Sequence, residues 1–182
     1  MSVTGLRGRT RAFLKIQDGC ERYCSYCIIP KARGPVRSKP LAEIRAELQN
    51  LAANGYREAV LVGINLSSYG KDLGLRLIDA VEEACRVEGI ERVRLGSLEP
   101  ELLTGEDIAR MAAQKKFCPQ FHLALQSGCD KTLKAMNRHY DTAEFARIAA
   151  DIRRSFENPS LTTDVMVGFA GETEEDFLES LA

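Results

Sequence analysis

The chain alternates between two patterns of hydrophobic and polar residues. Residues 12–17 (A-F-L-K-I-Q) alternate apolar and polar side chains, which predicts a strand with one buried face. The next segment carries apolar side chains at three- and four-residue spacing, which predicts a helix after Pro40: Leu41, Ile44, Leu48 and Leu51. Residues 59–63 (A-V-L-V-G) are continuously apolar, as in a parallel strand covered on both faces.

The same order of strand and helix continues along the chain. Further strands are predicted at residues 92–95, 121–125 and 161–167, and further helices at residues 77–85, 108–112, 131–136 and 143–154. Thr173 and Asp176 have the spacing of a capping box, which predicts a last helix. Strands that alternate with helices form a parallel sheet with helical crossovers, so the fold class is α/β. An open doubly wound sheet and a closed or partial barrel both fit this order.

The composition is that of an ordinary globular domain. The 182 residues are 45% apolar and 28% charged, with a net charge of −1, which excludes a disordered or collagen-like chain. No run of 18 apolar residues is present, so no membrane-spanning helix is expected. The N-terminal residues are basic without an apolar segment, unlike a secretory signal, and the cytoplasm is the expected compartment.

Polar and glycine-rich segments follow each predicted strand. In chain order they read D-G-C-E-R-Y-C-S-Y-C, G-I-N-L-S-S-Y-G, G-S-L-E-P, Q-S-G-C and G-F-A-G-E. In parallel α/β folds, the loops at the carboxyl ends of the strands lie on one face and form the site. The sequence therefore predicts a single site to which all of these loops contribute.

Three of the six cysteines, Cys20, Cys24 and Cys27, lie close together. Such a group indicates metal or redox chemistry, because a secreted disulfide framework would spread its cysteines along the chain. Three thiolates without a local fourth ligand suit an iron–sulfur cluster with one open iron. A structural zinc ion with a fourth ligand from His122, His139 or a distant cysteine is an alternative, and so is a disulfide with one spare thiol.

The cysteine segment resembles a known signature. C-E-R-Y-C-S-Y-C is similar to the CxxxCxxC signature of the radical S-adenosylmethionine (SAM) superfamily, with an aromatic residue before the last cysteine. The methylthiotransferases of that superfamily have segments similar to A-F-L-K-I-Q-D-G-C, I-I-P-K-A-R-G-P-V-R-S, G-I-N-L-S-S-Y-G, Q-S-G-C-D-K-T-L-K-A-M-N-R and T-T-D-V-M-V-G-F-A-G-E-T-E-E-D-F. F-C-P-Q-F-H-L-A-L-Q-S-G most resembles the branch that acts on threonylcarbamoyladenosine in tRNA.

The resemblance implies a partial (β/α) barrel of the radical SAM type, truncated after about five βα units. Residues 1–182 would form a radical SAM core domain that is incomplete at its C-terminal end. The family's N-terminal domain with a second 4Fe–4S cluster and its C-terminal tRNA-binding domain would be absent. Cys85, expected in the core, and Cys118 and Cys129, which share no motif spacing, do not replace the ligands of that second cluster.

The resemblance also implies how the cofactors bind. Cys20, Cys24 and Cys27 would hold three irons of a 4Fe–4S cluster, and the fourth iron would chelate the amino and carboxylate groups of SAM. An electron from the cluster would cleave SAM to methionine and a 5′-deoxyadenosyl radical. The implied SAM contacts are Tyr26 near the adenine, Gly63 and Asn65 near the amino group, Glu99, Gln126, Ser127 and Arg138 near the ribose and carboxylate, and Gly168 in a loop near the adenine.

The implied reaction adds a methylthio group to carbon 2 of threonylcarbamoyladenosine beside the anticodon. Its partners would be tRNA and a cellular electron donor, with no membrane involved. A chain without the second cluster is expected to bind a cluster and SAM but not to complete methylthiolation. The alternatives are a branch acting on isopentenyladenosine in tRNA or on a ribosomal protein, and a non-catalytic metal-binding module.

The charges are unevenly distributed. Residues 1–40 carry nine Lys or Arg side chains against two acidic ones, whereas residues 163–182 carry six acidic side chains and no basic one. A basic rim beside the cysteines suits an anionic substrate. The candidate tRNA contacts are Lys31, Arg33, Arg37 and Lys39. The alternative is that these side chains only keep the loop soluble.

Overall fold

The structure, a computed structural model, describes residues 10–181, so the basic residues Arg7 and Arg9 lie outside the described range. Its strands are β1 (Ala12–Asp18), β2 (Arg37–Ser38), β3 (Glu58–Gly63), β4 (Arg92–Leu95), β5 (Ser97–Leu98), β6 (Gln120–Leu123) and β7 (Ser160–Thr162). Its α-helices are α1 (Ile29–Arg33), α2 (Leu41–Ala53), α3 (Leu77–Arg86), α4 (Gly105–Ala112), α5 (Asp130–Ala135), α6 (Thr142–Ser155) and α7 (Glu174–Leu181). Two short 3-10 turns, Leu66–Ser68 and Pro100–Leu102, follow β3 and β5.

The strands form two adjoining sheets, ordered β2-β1-β3-β4 and β5-β6-β7. Only Gly96 separates β4 from β5, and its N–H donates to the carbonyl of Leu61 in β3 at 2.9 Å. Apart from β2, which pairs antiparallel with β1, all neighbours are parallel. The parallel strands thus lie side by side in chain order, without the reversal of a doubly wound sheet. This confirms the α/β class and the partial barrel, and it excludes the open doubly wound alternative.

The helices pack on the sheets through the apolar positions that the sequence predicted. Ile44 and Leu48 of α2 and Ile78 and Val81 of α3 are completely buried, in one core with the strands. Burying each such side chain contributes about 1.5–3 kcal/mol. Cys85 of α3 lies in the same core, as predicted.

The last helix begins as its sequence predicted. The backbone N–H of Thr173 donates to Asp176 Oδ2 at 2.9 Å, and the N–H of Asp176 donates back to Thr173 Oγ1 at 3.3 Å. This reciprocal pair is a capping box, which satisfies two of the N–H groups at the start of α7.

The prediction of the fifth strand was too long. The ladder between β6 and β7 ends at Thr162, and only an isolated bridge between Gln126 and Val165 continues it, so residues 163–167 are not a strand. The short elements α1 and β2 were missed. Neither carries a periodic pattern long enough to recognise, and both are held by contacts with β1 and its following loop.

Among residues 10–181, no helix has the length and apolar character needed to cross a membrane.

Candidate active site

The cysteines lie in one loop, residues 19–35, called here the cysteine loop. Gly19 opens it with φ of 76°, and a Cβ there would lie 1.9 Å from the carbonyl oxygen of Pro35. The N–H of Cys20 donates to the carbonyl of Gly34 at 3.1 Å. Only glycine allows this close approach of the two ends, so the loop leaves and rejoins the sheet at one point.

Ion pairs attach the cysteine loop to the loops that follow the neighbouring strands. Arg22 pairs with Glu101 in the turn after β5. Lys71, after β3, lies 2.7 Å from Glu21. An exposed ion pair such as Lys71–Glu21 stabilises the folded loop only weakly. The Arg22 and Glu101 side chains, in contrast, are largely buried. The geometry confirms that loops from different strands meet on one face.

The three loop thiols are free and half-buried, so the predicted disulfide alternative does not form. Within residues 10–181, the one group of three His, Cys, Asp or Glu ligand atoms within 4.8 Å of each other is Cys129, Asp176 and Glu179. The loop thiols therefore do not converge that closely. Sulfurs around a tetrahedral zinc ion, each about 2.3 Å from the metal, would lie about 4 Å apart. The wider spacing favours a multinuclear cluster over a single zinc ion.

The histidines named as possible fourth ligands have other surroundings. His122, on β6, contacts Thr162 Oγ1 at 3.1 Å and Asp164 Oδ2 at 3.4 Å. The pKa of His139 is lowered by burial and by the positive charges of Arg22 and Arg138.

Arg138 joins the cysteine loop to two other strand ends. Its side chain is only 4% exposed and forms an ion pair with Glu99, which follows β5. One guanidinium nitrogen donates to Cys24 Sγ at 3.3 Å, and Nε donates to the Tyr140 hydroxyl at 3.1 Å. Burial raises the pKa of Tyr140 to about 12, so its hydroxyl stays neutral and donates to the carbonyl of Leu125 at 2.6 Å. The guanidinium therefore has a fixed position beside one thiol.

Asn65 lies beside Cys20 and has an unsatisfied oxygen. Its N–H donates to Gln17 Oε1 at 2.8 Å, and its Nδ2 lies 3.7 Å from Cys20 Sγ. Its Oδ1 is buried without a hydrogen-bond partner among the described residues. A Cβ at Gly63 would lie 2.7 Å from Gln17 Oε1, so glycine is needed there. Buried polar atoms almost always have hydrogen-bond partners. The unpaired Asn65 Oδ1 therefore indicates that a hydrogen-bond donor, such as a bound ligand, is missing from this position.

The other predicted SAM contacts, Tyr26, Gln126 and Gly168, have different surroundings in the structure. The Tyr26 ring lies edge-on to Phe169, with centroids 6.1 Å apart, and burial raises its pKa. Gln126 adopts φ of 67°, and its N–H donates to the carbonyl of Asp164 at 2.9 Å. Gly168 is exposed, and its N–H donates to Glu172 Oε2 at 2.6 Å.

Ser127 contacts α7 through its hydroxyl. It is completely buried, and its Oγ lies 3.2 Å from Ser180 Oγ and accepts from the N–H of Cys129 at 3.1 Å. The structure therefore groups the three cysteines with Asn65, Glu99 and Arg138, whereas the Ser127 hydroxyl already has protein partners. The SAM-contact roles of Tyr26, Gln126, Ser127 and Gly168 stay predictions.

Comparison with known families identifies this arrangement. A family model described as the Radical SAM superfamily matches residues 14–182. The chain belongs to the radical SAM superfamily. The match begins within β1 and includes the whole cysteine loop and all of the later strands.

Curated relatives of this radical SAM chain carry two different names. The tRNA-2-methylthio-N(6)-dimethylallyladenosine synthase of Clostridium botulinum strain Hall is 42% identical over 174 residues, which cover 94% of this chain and 39% of that protein. The threonylcarbamoyladenosine tRNA methylthiotransferase MtaB of Chlamydia pneumoniae is 42% identical over 180 residues, which cover 98% of this chain and 42% of that protein. The chain thus spans about two fifths of the length of these relatives.

Solved structures agree on the fold. The radical SAM methyltransferase TsrM from Kitasatospora setae, solved with tryptophan and a SAM analogue, matches with a TM-score of 0.76 at 17% identity, over 94% of this chain and 33% of that one. The cobalamin-dependent radical SAM enzyme OxsB, with aqua-cobalamin bound, matches with a TM-score of 0.71 at 12% identity, over 93% of this chain and 25% of that one. At these identities the likeness shows the radical SAM fold alone.

Sequence reasoning missed several residues that shape this radical SAM site. Gln17 is buried at the end of β1, where the register shifts between Lys15 and Gln17 and interrupts the alternation. Ser67 accepts from the N–H of Glu99 at 2.8 Å, and Asn137 donates to the carbonyl of Tyr23 at 2.9 Å. The only signal in the sequence was that Asn137 adjoins Arg138. These contacts join residues far apart in the chain, which no local pattern reveals.

Proposed function

We propose that the chain is the radical SAM core of a tRNA methylthiotransferase, with a 4Fe–4S cluster and SAM as cofactors. The observation that carries the proposal is the cysteine loop. Its three free, half-buried thiols follow the carboxyl end of β1, are not gathered within 4.8 Å of one another, and lie beside Arg138 and Asn65. The names of the relatives support the methylthio chemistry and the tRNA substrate.

The donor set fits a 4Fe–4S cluster. Cys20, Cys24 and Cys27 would hold three irons as thiolates, and the three-cysteine motif leaves the fourth iron open. Cys24 receives a hydrogen bond from the Arg138 guanidinium, which stabilises negative charge on its sulfur. When bound, such a cluster supplies the electron for reductive cleavage of SAM.

The residues around the thiols also fit the amino-acid part of SAM. An ammonium group is the donor that the buried Asn65 Oδ1 lacks. Gly63 leaves room for the Gln17 side chain, whose Oε1 accepts from the Asn65 N–H and so holds Asn65 in place. Arg138 would attract the SAM carboxylate, and its ion pair with Glu99 holds its guanidinium in place. Tyr26, with its ring against Phe169, would cover the adenine.

The proposed nucleoside is threonylcarbamoyladenosine. The segment F-C-P-Q-F-H-L-A-L-Q-S-G supports it, and so does the MtaB relative. Modification of dimethylallyladenosine is the second candidate, because relatives of that name are equally similar to this chain. The non-catalytic metal module is less well supported, because the thiols do not converge as zinc ligands would.

The proposed tRNA surface lies beside the cysteine loop. Lys31, Arg33 and Arg37 are exposed there. Arg33 and Arg37 lie 3.6 and 3.7 Å from Asp18, which Lys15 also contacts at 2.7 Å. One carboxylate cannot neutralise three cations, so the surface keeps a positive charge that suits phosphates. Lys39 pairs with Glu47 and contributes less.

The cofactor proposal is tested by anaerobic reconstitution followed by iron and sulfide analysis. We expect about four irons and four sulfides per chain, and 5′-deoxyadenosine after a reductant and SAM are added. Near-stoichiometric zinc without sulfide would overturn the proposal in favour of the metal module. A full cluster without 5′-deoxyadenosine would contradict SAM cleavage by this chain.

The substrate proposal is tested in cells that lack the gene. Mass spectrometry of tRNA nucleosides is expected to show threonylcarbamoyladenosine without its methylthio group, while methylthiolated dimethylallyladenosine is unchanged. The reverse pattern would establish the second candidate. Binding of tRNA that weakens steeply with added salt, and less so after Arg33→Gln and Arg37→Gln, would support the basic surface, and binding insensitive to these changes would contradict it.

A further inference from the structure

Two residues with left-handed backbone conformation meet where the cysteine loop contacts α5. Tyr23, in the loop, has φ of 55°, and Asn137, after α5, has φ of 56°. Asn137 Nδ2 donates to the carbonyl oxygen of Tyr23 at 2.9 Å. Left-handed backbone is uncommon for residues other than glycine, and here each unusual residue contacts the other.

The turn after α5 accounts for the conformation of Asn137. The N–H of Arg138 donates to the carbonyl of Leu133 at 2.9 Å, and the N–H of Asn137 donates to the carbonyl of Lys134 at 3.0 Å. These two bonds form a Schellman motif, in which the left-handed position is usually glycine. Glycine would serve the turn equally well. The amide side chain of Asn137 therefore adds something that the turn itself does not need.

The same turn contacts the cysteine loop between two of the cysteines. Ser25, which follows Cys24, donates its N–H to the carbonyl of Met136 at 3.0 Å and its Oγ to the carbonyl of Ala135 at 2.9 Å. These carbonyls are among the last of α5, which have no partner within the helix. Asn137 holds Tyr23, and the end of α5 holds Ser25, so the residues on both sides of Cys24 are fixed by the same turn.

We infer that Asn137 is a positioning residue, which fixes the part of the cysteine loop around Cys24 in the conformation that binds the cluster. The inference rests on the proposed function, because it concerns the cluster ligands. Ordering a flexible loop costs conformational entropy, and a loop that is already held meets less of that cost when it binds iron. The Schellman turn also fixes the next residue, Arg138, whose guanidinium contacts Cys24 Sγ at 3.3 Å. One turn thus places both the thiol and its hydrogen-bond donor.

The variant Asn137→Gly tests the side chain alone, because glycine keeps the left-handed backbone. Asn158→Gly is the matched control, since Asn158 is also a left-handed asparagine, with φ of 50°, but lies in the turn before β7. Hydrogen–deuterium exchange of the apo-protein is followed in the peptide that contains residues 20–27. We expect exchange there to become about three- to tenfold faster in Asn137→Gly, the effect of one lost hydrogen bond, and to be unchanged in Asn158→Gly.

The reconstituted proteins give a second readout. Iron loss to a chelator is expected to be faster in Asn137→Gly by a similar factor, and the reduced EPR signal of its cluster is expected to broaden. Ser25→Ala, which removes one bond of the same contact, is expected to have a smaller effect in the same direction. The inference is overturned if Asn137→Gly matches Asn158→Gly in exchange and in iron loss. One further outcome separates the two proposals. If the wild-type chain takes up no cluster but Asn137→Gly still speeds exchange, the proposed function is contradicted, whereas the role of the Asn137 contact with Tyr23 in holding the loop is not.

Discussion

The three cysteines of the cysteine loop and the buried cysteines of this chain have different environments. Cys20, Cys24 and Cys27 are half-buried in one loop, beside Asn65 and Arg138. Cys85 is buried in the apolar core, where burial raises its pKa to about 11, and Cys129 is buried beside Asp176. Burial raises the pKa of Cys118 as well. The thiolate is the form that binds metal, so the loop thiols are the proposed ligands and Cys85 is expected to be a packing group.

Removing one thiol from the cysteine loop and one from the core is expected to show the largest difference between the two regions. Cys24→Ala deletes one of three proposed iron ligands, and we expect it to lose most of the iron and sulfide bound by the wild type. Cys85→Ala deletes a core thiol and is expected to keep the full cluster, with a small loss of thermal stability. Metal analysis after parallel reconstitution measures both. Equal iron content in the two variants would mean that the loop thiols are not the ligands.

Filling the space at Gly63 tests whether the loop region needs its exact backbone. The added Cβ of Gly63→Ala would meet Gln17 Oε1 at 2.7 Å, which must shift and release the Asn65 N–H. We expect SAM affinity to fall by about tenfold, the equivalent of about 1.4 kcal/mol. Gly105→Ala is the control, because a Cβ at Gly105 meets nothing within 4 Å. Equilibrium dialysis of labelled SAM against the reconstituted proteins gives the comparison, and unchanged affinity would show that this strand end does not contact SAM.

The stability of the fold around the buried Cys129 is expected to depend on the charge of Asp176 at acidic pH. Cys129 Sγ donates to Asp176 Oδ1 at 3.6 Å, and the hydrogen bond from Lys131 lowers the pKa of Asp176 to about 2 from its usual 3.8. A carboxyl whose folded pKa is lowered stabilises the fold above its unfolded pKa, and this contribution is lost as pH falls from about 4 to 2. Asp176→Asn is therefore expected to show a shallower fall of the free energy of unfolding over that range. Parallel acid unfolding curves for the two proteins would contradict this.

Alkylation rates of the apo-protein give the smallest and most local contrast. At about pH 8, iodoacetamide is expected to label Cys20, Cys24 and Cys27 before Cys85, because burial both shields the Cys85 thiol and raises its pKa. Peptide mass spectrometry over time gives the rate at each site. Labelling of Cys85 as fast as the loop thiols would show that α3 opens readily.

The sequence predicted what depends on local pattern and missed what depends on contacts between distant residues. The periodicity of α2 and α3 and the five main strands could be found because each buries a regular set of apolar side chains. The three loop cysteines could be found because their spacing is itself the signal. The direction of the Ser127 hydroxyl toward Ser180 could not be predicted, since α7 determines it. The contact of Asn137 with Tyr23 joins residues separated by 114 positions, and no periodicity marks either one.

The most direct test of the central claim is the EPR spectrum of the reduced, reconstituted protein with and without SAM. If three thiols hold the cluster and leave one iron for SAM, adding SAM is expected to shift the signal of a 4Fe–4S cluster in the wild type. A 4Fe–4S signal that SAM leaves unchanged, or a reconstituted protein with no such signal, would contradict the account.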